Sequence, residues 1–168
     1  HALRTYEPGD DIRNVHWRTS ARTGQLMVRQ YQETRRSQLL LAFDAERSHF
    51  ASDEEFELGV SVLASVGCQV IREETEIRAL WQGGPMRVTT PTALLDDSCR
   101  IQPVEGANPT LREFLRQATL RIAAPSLAVT VVGSQVDPAE LRGAAALWGL
   151  DTETIVIRVD EAAEPRLT

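Results

Sequence analysis

The chain has 168 residues, 42% of them hydrophobic and 25% charged, and a formal net charge of −6. This is the composition of an ordinary globular domain, so disorder is not expected, and the length suits one domain with a real core. All 18 basic residues are arginine, which excludes mechanisms that need a Schiff-base or general-base lysine, and also a P-loop, whose phosphate cradle needs a lysine.

Charge is unevenly distributed along the chain. Residues 1–36 carry seven arginines and four acidic residues, a local charge of +3, so the remainder carries −9. An acidic body argues against nucleic-acid binding, while the basic N-terminal stretch leaves room for an anionic or acidic partner. The change of character near Ser37 predicts two segments, residues 1–36 and 37–168, with the first packing on the sheet of the second as one structural unit.

Cysteine content and hydropathy further bound the class of protein. Cys68 and Cys99 are too few and too unpatterned for a disulfide framework or a zinc site, so buried or idle thiols in a reducing compartment are expected. The longest uncharged stretch, residues 122–136, is too short to cross a bilayer. Because the chain opens without an initiator methionine or a signal peptide, we expect a soluble piece of a longer protein.

The first predicted elements after residue 37 are a strand and a helix. Residues 39–43 form a continuous apolar run that ends at Asp44, as expected of a strand buried on both faces. Ser52 and Glu55 match the capping-box pattern, and apolar residues at helical spacing then predict an amphipathic helix over residues 53–73.

The next stretch predicts an antiparallel hairpin. Residues 75–81 and 86–90 have strand patterns, and Gly83-Gly84-Pro85 supplies the short turn between them. At most a short helix is expected near residues 92–97. Asn108-Pro109 then predicts the start of a longer helix, with asparagine as the N-cap and proline at the first helical position.

The last third of the chain repeats the strand-then-helix pattern. Residues 127–132 predict a second buried strand. A capped helix is predicted to follow it, with Asp137 as the N-cap, Pro138 at the first helical position and Glu140 completing a second capping-box pattern. Residues 154–159 predict the final strand. The whole order indicates an α/β fold with an open, mostly parallel central sheet, an antiparallel edge hairpin and helices on both faces.

The N-terminal stretch is dense in residues with special geometry or charge: a Pro-Gly turn, paired carboxylates, a tryptophan and closely spaced arginines. These residues are Arg4, Tyr6, Pro8, Gly9, Asp10, Asp11, Arg13, Trp17, Arg18, Ser20, Arg22, Gly24 and Arg29. The pattern resembles the signature of the family catalogued as domain of unknown function 58, in which this segment leads into a von Willebrand factor A-like domain. The resemblance implies the three-layer α/β fold of that domain.

Two roles for this signature segment stay open. In the first, Asp10 and Asp11 pair with arginine forks to form a polar clasp over the sheet edge, with Trp17 as its apolar anchor. In the second, the arginines bind a partner or an anionic ligand. An acid–base set of Asp10, Asp11 and His16 is disfavoured because no nucleophile is placed with it.

The resemblance also implies where a divalent cation would sit. Its motif is Asp-x-Ser-x-Ser after the first strand, a threonine before a later helix and an aspartate after the next strand, and such oxygen ligands suit Mg²⁺. Asp44 and Ser48 match, and Thr110 can match the threonine. Glu46 replaces the middle serine, Arg47 adds a positive charge, and the final aspartate is missing. We therefore expect a degenerate, empty site, with Mg²⁺ held through Glu46 as the alternative.

The sequence carries no pattern typical of a catalytic triad, a dinucleotide fingerprint or a zinc site, and His49 is expected to be a plain loop residue. We therefore predict a non-enzymatic adaptor or scaffold that binds a protein. The resemblance implies a membrane-anchored parent protein, with this domain on the cytoplasmic side, working with a MoxR-type AAA ATPase. The alternative is a divalent-metal-dependent hydrolase that uses Asp44, Glu46 and the Asp10/Asp11 pair.

Overall fold

A computed structural model describes most of the chain and divides it into two compact units, residues 1–35 and 36–168. The described residues are 2–7, 15–30, 38–106, 110–149 and 151–161, with the backbone alone for 2–4, 29 and 30. Because the two units are described separately, the packing of residues 1–36 on the sheet stays a prediction.

The N-terminal unit combines a two-stranded antiparallel sheet with a short helix. Its elements are β1 (Ala2–Thr5), α1 (Trp17–Thr23) and β2 (Met27–Gln30). His16 begins the helix by accepting the N–H of Thr19 on Nδ1 (3.2 Å). Gly24 ends it with a φ of 68°, a left-handed conformation that glycine adopts without steric cost.

The second unit is built on a five-stranded sheet. Its strands are β3 (Gln38–Phe43), β4 (Glu76–Trp81), β5 (Gly84–Met86), β6 (Leu127–Val132) and β7 (Glu153–Arg158). Their spatial order is β5-β4-β3-β6-β7, in which β5 runs antiparallel to β4 and the other neighbouring pairs are parallel. A mixed α/β fold with a mostly parallel sheet and an antiparallel edge hairpin is thus confirmed.

Helices cover both faces of this sheet. They are α2 (Asp53–Arg72), α3 (Pro91–Ser98), α4 (Leu111–Thr119) and α5 (Pro138–Ala145), with 3-10 turns at Arg47–His49 and Ala146–Trp148. Since side chains alternate across a strand, Leu41 of β3 joins the core beneath α2 and α3, whereas Leu40 joins the core beneath α4 and α5. The strand is therefore buried on both faces, as its apolar run predicts.

The edge hairpin begins earlier than the sequence predicts. Its turn is Gln82-Gly83 rather than Gly83-Gly84-Pro85, and β5 ends at Met86 rather than at residue 90. A two-residue turn is the common connection of a hairpin. The strand ends there because Arg87 turns to Asp97, whose carboxylate accepts its backbone N–H (2.8 Å) and its guanidinium (2.7 Å).

Both predicted capping boxes form only in half. Ser52 accepts the N–H of Glu55 (2.9 Å), as an N-cap should. Asp137 likewise accepts the N–H of Ala139 (2.6 Å). The carboxylates of Glu55 and Glu140, which were expected to reach back to these caps, instead bind backbone groups of other elements. The reciprocal bonds predicted from the local pattern are therefore wrong.

The start of α4 also differs from the prediction. The predicted start, Asn108-Pro109, lies outside the described residues, and the N-cap is Thr110, whose hydroxyl accepts the N–H of Glu113 (3.3 Å). Threonine serves this role because its side chain satisfies an otherwise unpaired helix donor. Across the described parts of the chain, no helix combines the length and apolar character that a bilayer crossing requires.

Candidate functional site

A fully buried carboxylate, Asp44, follows directly after β3. Its Oδ2 lies 2.6 Å from Nδ1 of His49. Its Oδ1 accepts hydrogen bonds from the side-chain amide of Gln82 (2.7 Å) and from the backbone N–H of Glu46 (3.3 Å). A buried carboxylate requires such partners because desolvation is otherwise very costly. Both of its oxygens are thus engaged by groups of the same chain.

Gln82 connects the ends of two neighbouring strands. Its Nε2 donates to Asp44, and its Oε1 accepts the backbone N–H of Ala45 (2.7 Å). Because Gln82 follows β4 and β4 lies beside β3, a single amide satisfies both a side chain and a backbone group at the adjacent strand end. No local sequence pattern marks Gln82 as a site residue, because only the order of the strands brings it beside Asp44.

His49 is the main partner of Asp44 rather than the plain loop residue that was expected. The 3-10 turn returns its imidazole to the end of β3, where the side chain is 15% exposed. The hydrogen bond to Asp44 raises the pKa of His49 above its ordinary value of 6.5. Burial opposes this rise in pKa, whereas the negative charges of Asp44, Glu140 and Glu46 add to it. The charged imidazolium is therefore favoured beside Asp44.

The backbone of His49 packs closely against Gly133, which directly follows β6. A Cβ at Gly133 would overlap the carbonyl oxygen of His49, so only glycine allows this approach. The same oxygen accepts the N–H of Gln135 (3.0 Å). These contacts fix the turn that carries the imidazole.

A second buried carboxylate lies at the same edge of the sheet. Glu55, in the first turn of α2, is 2% exposed and accepts both the N–H (2.7 Å) and the hydroxyl (2.9 Å) of Ser134. The guanidinium of Arg158 donates to the carbonyl oxygen of Ser134. We call Asp44, Glu46, His49, Glu55, Gln82 and Ser134 the strand-end cluster.

Three of the four residues predicted to form the degenerate metal site lie close together. Glu46 accepts the N–H (3.4 Å) and the hydroxyl (3.1 Å) of Ser48, and its own N–H binds Asp44. The hydroxyl of Thr110 instead caps α4. Within the described ranges, no three His, Cys, Asp or Glu side chains are arranged to hold a metal ion.

The positive charge of Arg47, expected beside the cation site, is neutralised elsewhere. Its guanidinium lies 2.9 Å from a carboxylate oxygen of Asp53 in α2 and donates to the carbonyl oxygen of Phe50 (3.0 Å). Arg47 therefore ties the 3-10 turn to the helix that follows it.

The structure describes the signature segment in part. Ser20 is buried, donates its hydroxyl to the carbonyl oxygen of His16 (3.1 Å) and accepts the N–H of Met27 (2.8 Å), so it joins α1 to β2. Trp17 is 64% exposed and does not act as an apolar anchor within its own unit. His16 serves as a helix cap, not as part of an acid–base set.

The remaining signature residues are described in full, described by their backbone alone, or lie outside the described ranges. Arg18 and Arg22 are exposed on α1, and Tyr6 is half-buried with its N–H bound to the carbonyl oxygen of Leu26 (2.8 Å). The residues that lie outside the described ranges are Pro8, Gly9, Asp10, Asp11 and Arg13. The side chains of Arg4 and Arg29 are likewise outside them. The predicted clasp between the acidic pair and the arginines therefore stays a prediction.

A groove of about 390 Å³ lies between the edge hairpin and α4. Gln82 lines its end, so the groove approaches the strand-end cluster. Among the described residues that line it there is neither aspartate nor glutamate, whereas a metal-dependent hydrolase would need a pocket with carboxylates.

The chain matches a known protein family over most of its length. The model of the family described as "Protein of unknown function DUF58" matches residues 2–167. The chain is also similar to the uncharacterized protein YeaD of Bacillus subtilis (strain 168), with 39% identity over 71 residues. That match covers 42% of this chain and 17% of the relative, so the chain spans well under two thirds of the relative's length. No solved structure matches the chain.

Proposed function

The chain belongs to the DUF58 family, and we propose that it acts there as a protein-interaction module, an adaptor or scaffold, rather than as an enzyme. The state of Asp44 carries this proposal, because His49, Gln82 and the backbone of Glu46 already bind its two oxygens. A general base must reach its substrate, and a metal ligand must offer oxygens to the ion. Because Asp44 is also fully buried, either role would require one of these groups to move aside and open its carboxylate.

We also propose that the second unit has the von Willebrand factor A-like fold. The five-stranded, mostly parallel sheet with helices on both faces supports this proposal. So does the position of Asp44 at the carboxyl end of β3, where open α/β sheets place ligands. In this proposal the imidazolium of His49 occupies the place that a cation takes in the intact motif.

The partner binds, on this proposal, to a strand-end surface that we define as Glu46, Ser48, Thr110 and Gln135. The last three are exposed and Glu46 is half-buried. All four lie on segments at the carboxyl edge of the sheet, where a rigid scaffold commonly presents binding residues. The strand-end cluster beneath them supplies that rigidity.

The kind of partner is proposed from what the resemblance of the signature segment implies. We propose that the parent protein is anchored in a membrane, that this domain lies on its cytoplasmic side, and that a MoxR-type AAA ATPase binds it. The basis is the signature segment quoted above together with the family match over residues 2–167.

Co-purification of the intact parent protein with the MoxR-type ATPase of the same genome tests the proposal. Ser48→Arg and Gln135→Arg should abolish recovery of the ATPase, whereas Ser61→Arg and Ser65→Arg, exposed positions on α2, add the same charge and should not. Because the proposed interaction does not need a divalent cation on this domain, the nucleotide-free ATPase should still be recovered when EDTA is present. Failure of the unaltered protein to recover the ATPase would contradict the adaptor role.

One observation favours a second candidate, the divalent-metal-dependent hydrolase: hydrogen bonds bring Asp44, Glu46 and Ser48 together. Calorimetric titration with Mn²⁺, which takes the same oxygen ligands as Mg²⁺, separates the two. Saturable binding that Glu46→Gln removes would favour the metal-dependent function.

A further inference from the structure

The groove between α4 and the edge hairpin has an apolar floor. Leu80 of β4 and Phe114 and Ala118 of α4 are nearly buried there, and Pro85 of β5 and Ile122 extend the apolar lining. Its volume of about 390 Å³ has room for a few apolar side chains but not for a folded domain. A concave, mostly apolar site of this size is the usual form of a binding pocket for a small group or a side chain.

Among the described residues that line this groove, two arginines carry the charge. Arg78 and Arg121 are exposed, and within the described residues no carboxylate lies in ion-pair contact with either. Glu76, on the same face of β4 as Arg78, accepts a hydrogen bond from Gln38 (2.8 Å). The described charged lining of the groove is therefore positive, which favours an acidic ligand over a basic one.

Several other arginines of the second unit are paired with carboxylates. Arg47 lies 2.9 Å from Asp53, Arg87 2.7 Å from Asp97, and Arg116 2.7 Å from Glu113. Arg78 and Arg121 have no such partner among the described residues, and the same holds for Arg72 and Arg142 outside the groove. Their guanidinium groups are therefore available to a partner's carboxylate, which an arginine fork matches with two hydrogen bonds.

Both arginines lie toward the amino ends of the parallel strands. Arg78 is in the first half of β4. Arg121 lies a few residues before Ser126, and the N–H of Ser126 binds the carbonyl oxygen of Gln38 at the start of β3 (3.0 Å), which places this segment near the amino end of the sheet. The groove is therefore basic at one end and apolar along its length. At the outer edge, Pro85 offers no N–H, so a further strand cannot pair regularly with β5.

We infer that this groove docks a short segment of a partner protein that presents apolar side chains with acidic side chains beside them. The apolar side chains contact Leu80, Phe114 and Ile122, and the acidic ones bind Arg78 and Arg121. Tryptophan and arginine side chains are enriched among the residues that contribute most to affinity in known interfaces, and Trp81 lines the groove together with the two arginines. The inference deepens the proposed adaptor function and rests on it, but it uses a surface other than the strand-end surface.

Selection of short random peptides displayed on phage against the full chain tests the inference. The enriched peptides should combine apolar residues with aspartate or glutamate. Against the double variant Arg78→Glu/Arg121→Glu, their affinity should fall at least about tenfold, because each lost charge-assisted bond weakens binding. Enriched peptides without acidic residues would overturn the inference, as would failure to enrich any.

A matched control separates recognition in the groove from a general charge effect. Arg72→Glu/Arg142→Glu changes the net charge equally at exposed positions outside the groove and should keep full affinity. Peptides with lysine in place of the acidic residues should bind the Arg78→Glu/Arg121→Glu variant better than the unaltered protein. Equal loss in both double variants, or no gain with the lysine peptides, would contradict the inference.

Backbone amide shifts on peptide binding distinguish this inference from the adaptor proposal. Shifts should concentrate in residues 78–88 and 114–122. Shifts confined to residues 44–49 and 133–137 would place binding at the strand-end surface, overturning the groove inference while leaving the adaptor proposal intact. Peptide binding in the groove, together with failure of the parent protein to co-purify with the ATPase, would contradict the proposed ATPase partner and leave the groove inference intact.

Discussion

The strand-end cluster and the groove beside α4 both carry charged side chains, but they use them in opposite ways. In the cluster, Asp44 and Glu55 are buried and each binds groups of the same chain. In the groove, Arg78 and Arg121 are exposed above an apolar floor, without a carboxylate partner in the described residues. Gln82 belongs to both regions.

This difference separates charged side chains that stabilise the fold from charged side chains that are available to bind a partner. A buried charge with all of its bonds made stabilises the arrangement around it, and removing one partner is costly. An exposed charge without a partner contributes little to stability. Substitutions in the cluster should therefore change stability, and substitutions in the groove should change binding.

The largest loss of stability is expected from Glu55→Ala. It removes both acceptors of Ser134 and leaves the buried N–H and O–H donors of Ser134 without an acceptor, although the hydroxyl oxygen still accepts from Gln135, so the free energy of unfolding should fall by about 3 kcal/mol. Urea unfolding measures the change. Glu57→Ala, exposed on the same helix, is the control and should change it by less than about 0.5 kcal/mol. Equal effects would mean that the Glu55–Ser134 contact does not stabilise the fold.

A smaller loss is expected from Gly133→Ala, because its Cβ would overlap the carbonyl oxygen of His49 and force the turn away. The expected cost is about 2 kcal/mol. Gly143→Ala in α5 provides the contrast, since its Cβ would meet only Arg112 at an ordinary 3.6 Å. That change should be neutral or stabilise the helix by up to about 1 kcal/mol. Thermal melting of both variants compares them, and a neutral Gly133→Ala would refute the close approach.

The pH dependence of stability tests the His49–Asp44 pair. Because the folded-state pKa of His49 is raised above 6.5, its contribution is fully present below pH 6.5 and is lost as the pH rises through the folded-state value. In urea unfolding from pH 6 to 9, the unaltered protein should lose more stability than His49→Gln. Parallel curves for the two proteins would contradict a raised pKa.

The smallest effect on stability is expected in the groove. Arg78→Ala and Arg121→Ala should each change the free energy of unfolding by less than about 0.5 kcal/mol, because neither side chain has an ion-pair partner in the described residues. Losses as large as that of Glu55→Ala would show that these arginines stabilise the fold and would remove the contrast between the two regions.

Much of the second unit could be predicted from the sequence because its signals are local. The continuous apolar run of residues 39–43 indicates a strand buried on both faces, and Ser52 and Asp137 act as the caps that their positions suggest. The hairpin's end was misplaced because Asp97, ten residues further on, withdraws Arg87 from the sheet.

The strand-end cluster could be predicted only in part. Asp44, Glu46 and Ser48 are close in sequence, so a motif found them. Glu55 also matched a motif, but its carboxylate binds Ser134, 79 residues away, a contact that only the placement of α2 beside the end of β6 produces. A local pattern can suggest a bond within one turn, whereas burial decides where the carboxylate must find donors.

Titration of His49 by NMR, with and without millimolar Mg²⁺, tests most directly whether its imidazolium is paired with the carboxylate of Asp44. We predict a pKa above the ordinary 6.5 that does not change when Mg²⁺ is added, because both oxygens of Asp44 are bound within the chain. An ordinary pKa would contradict the pairing. A pKa that falls on addition of Mg²⁺ would mean that a cation displaces the imidazolium, and the cluster would then be a metal site.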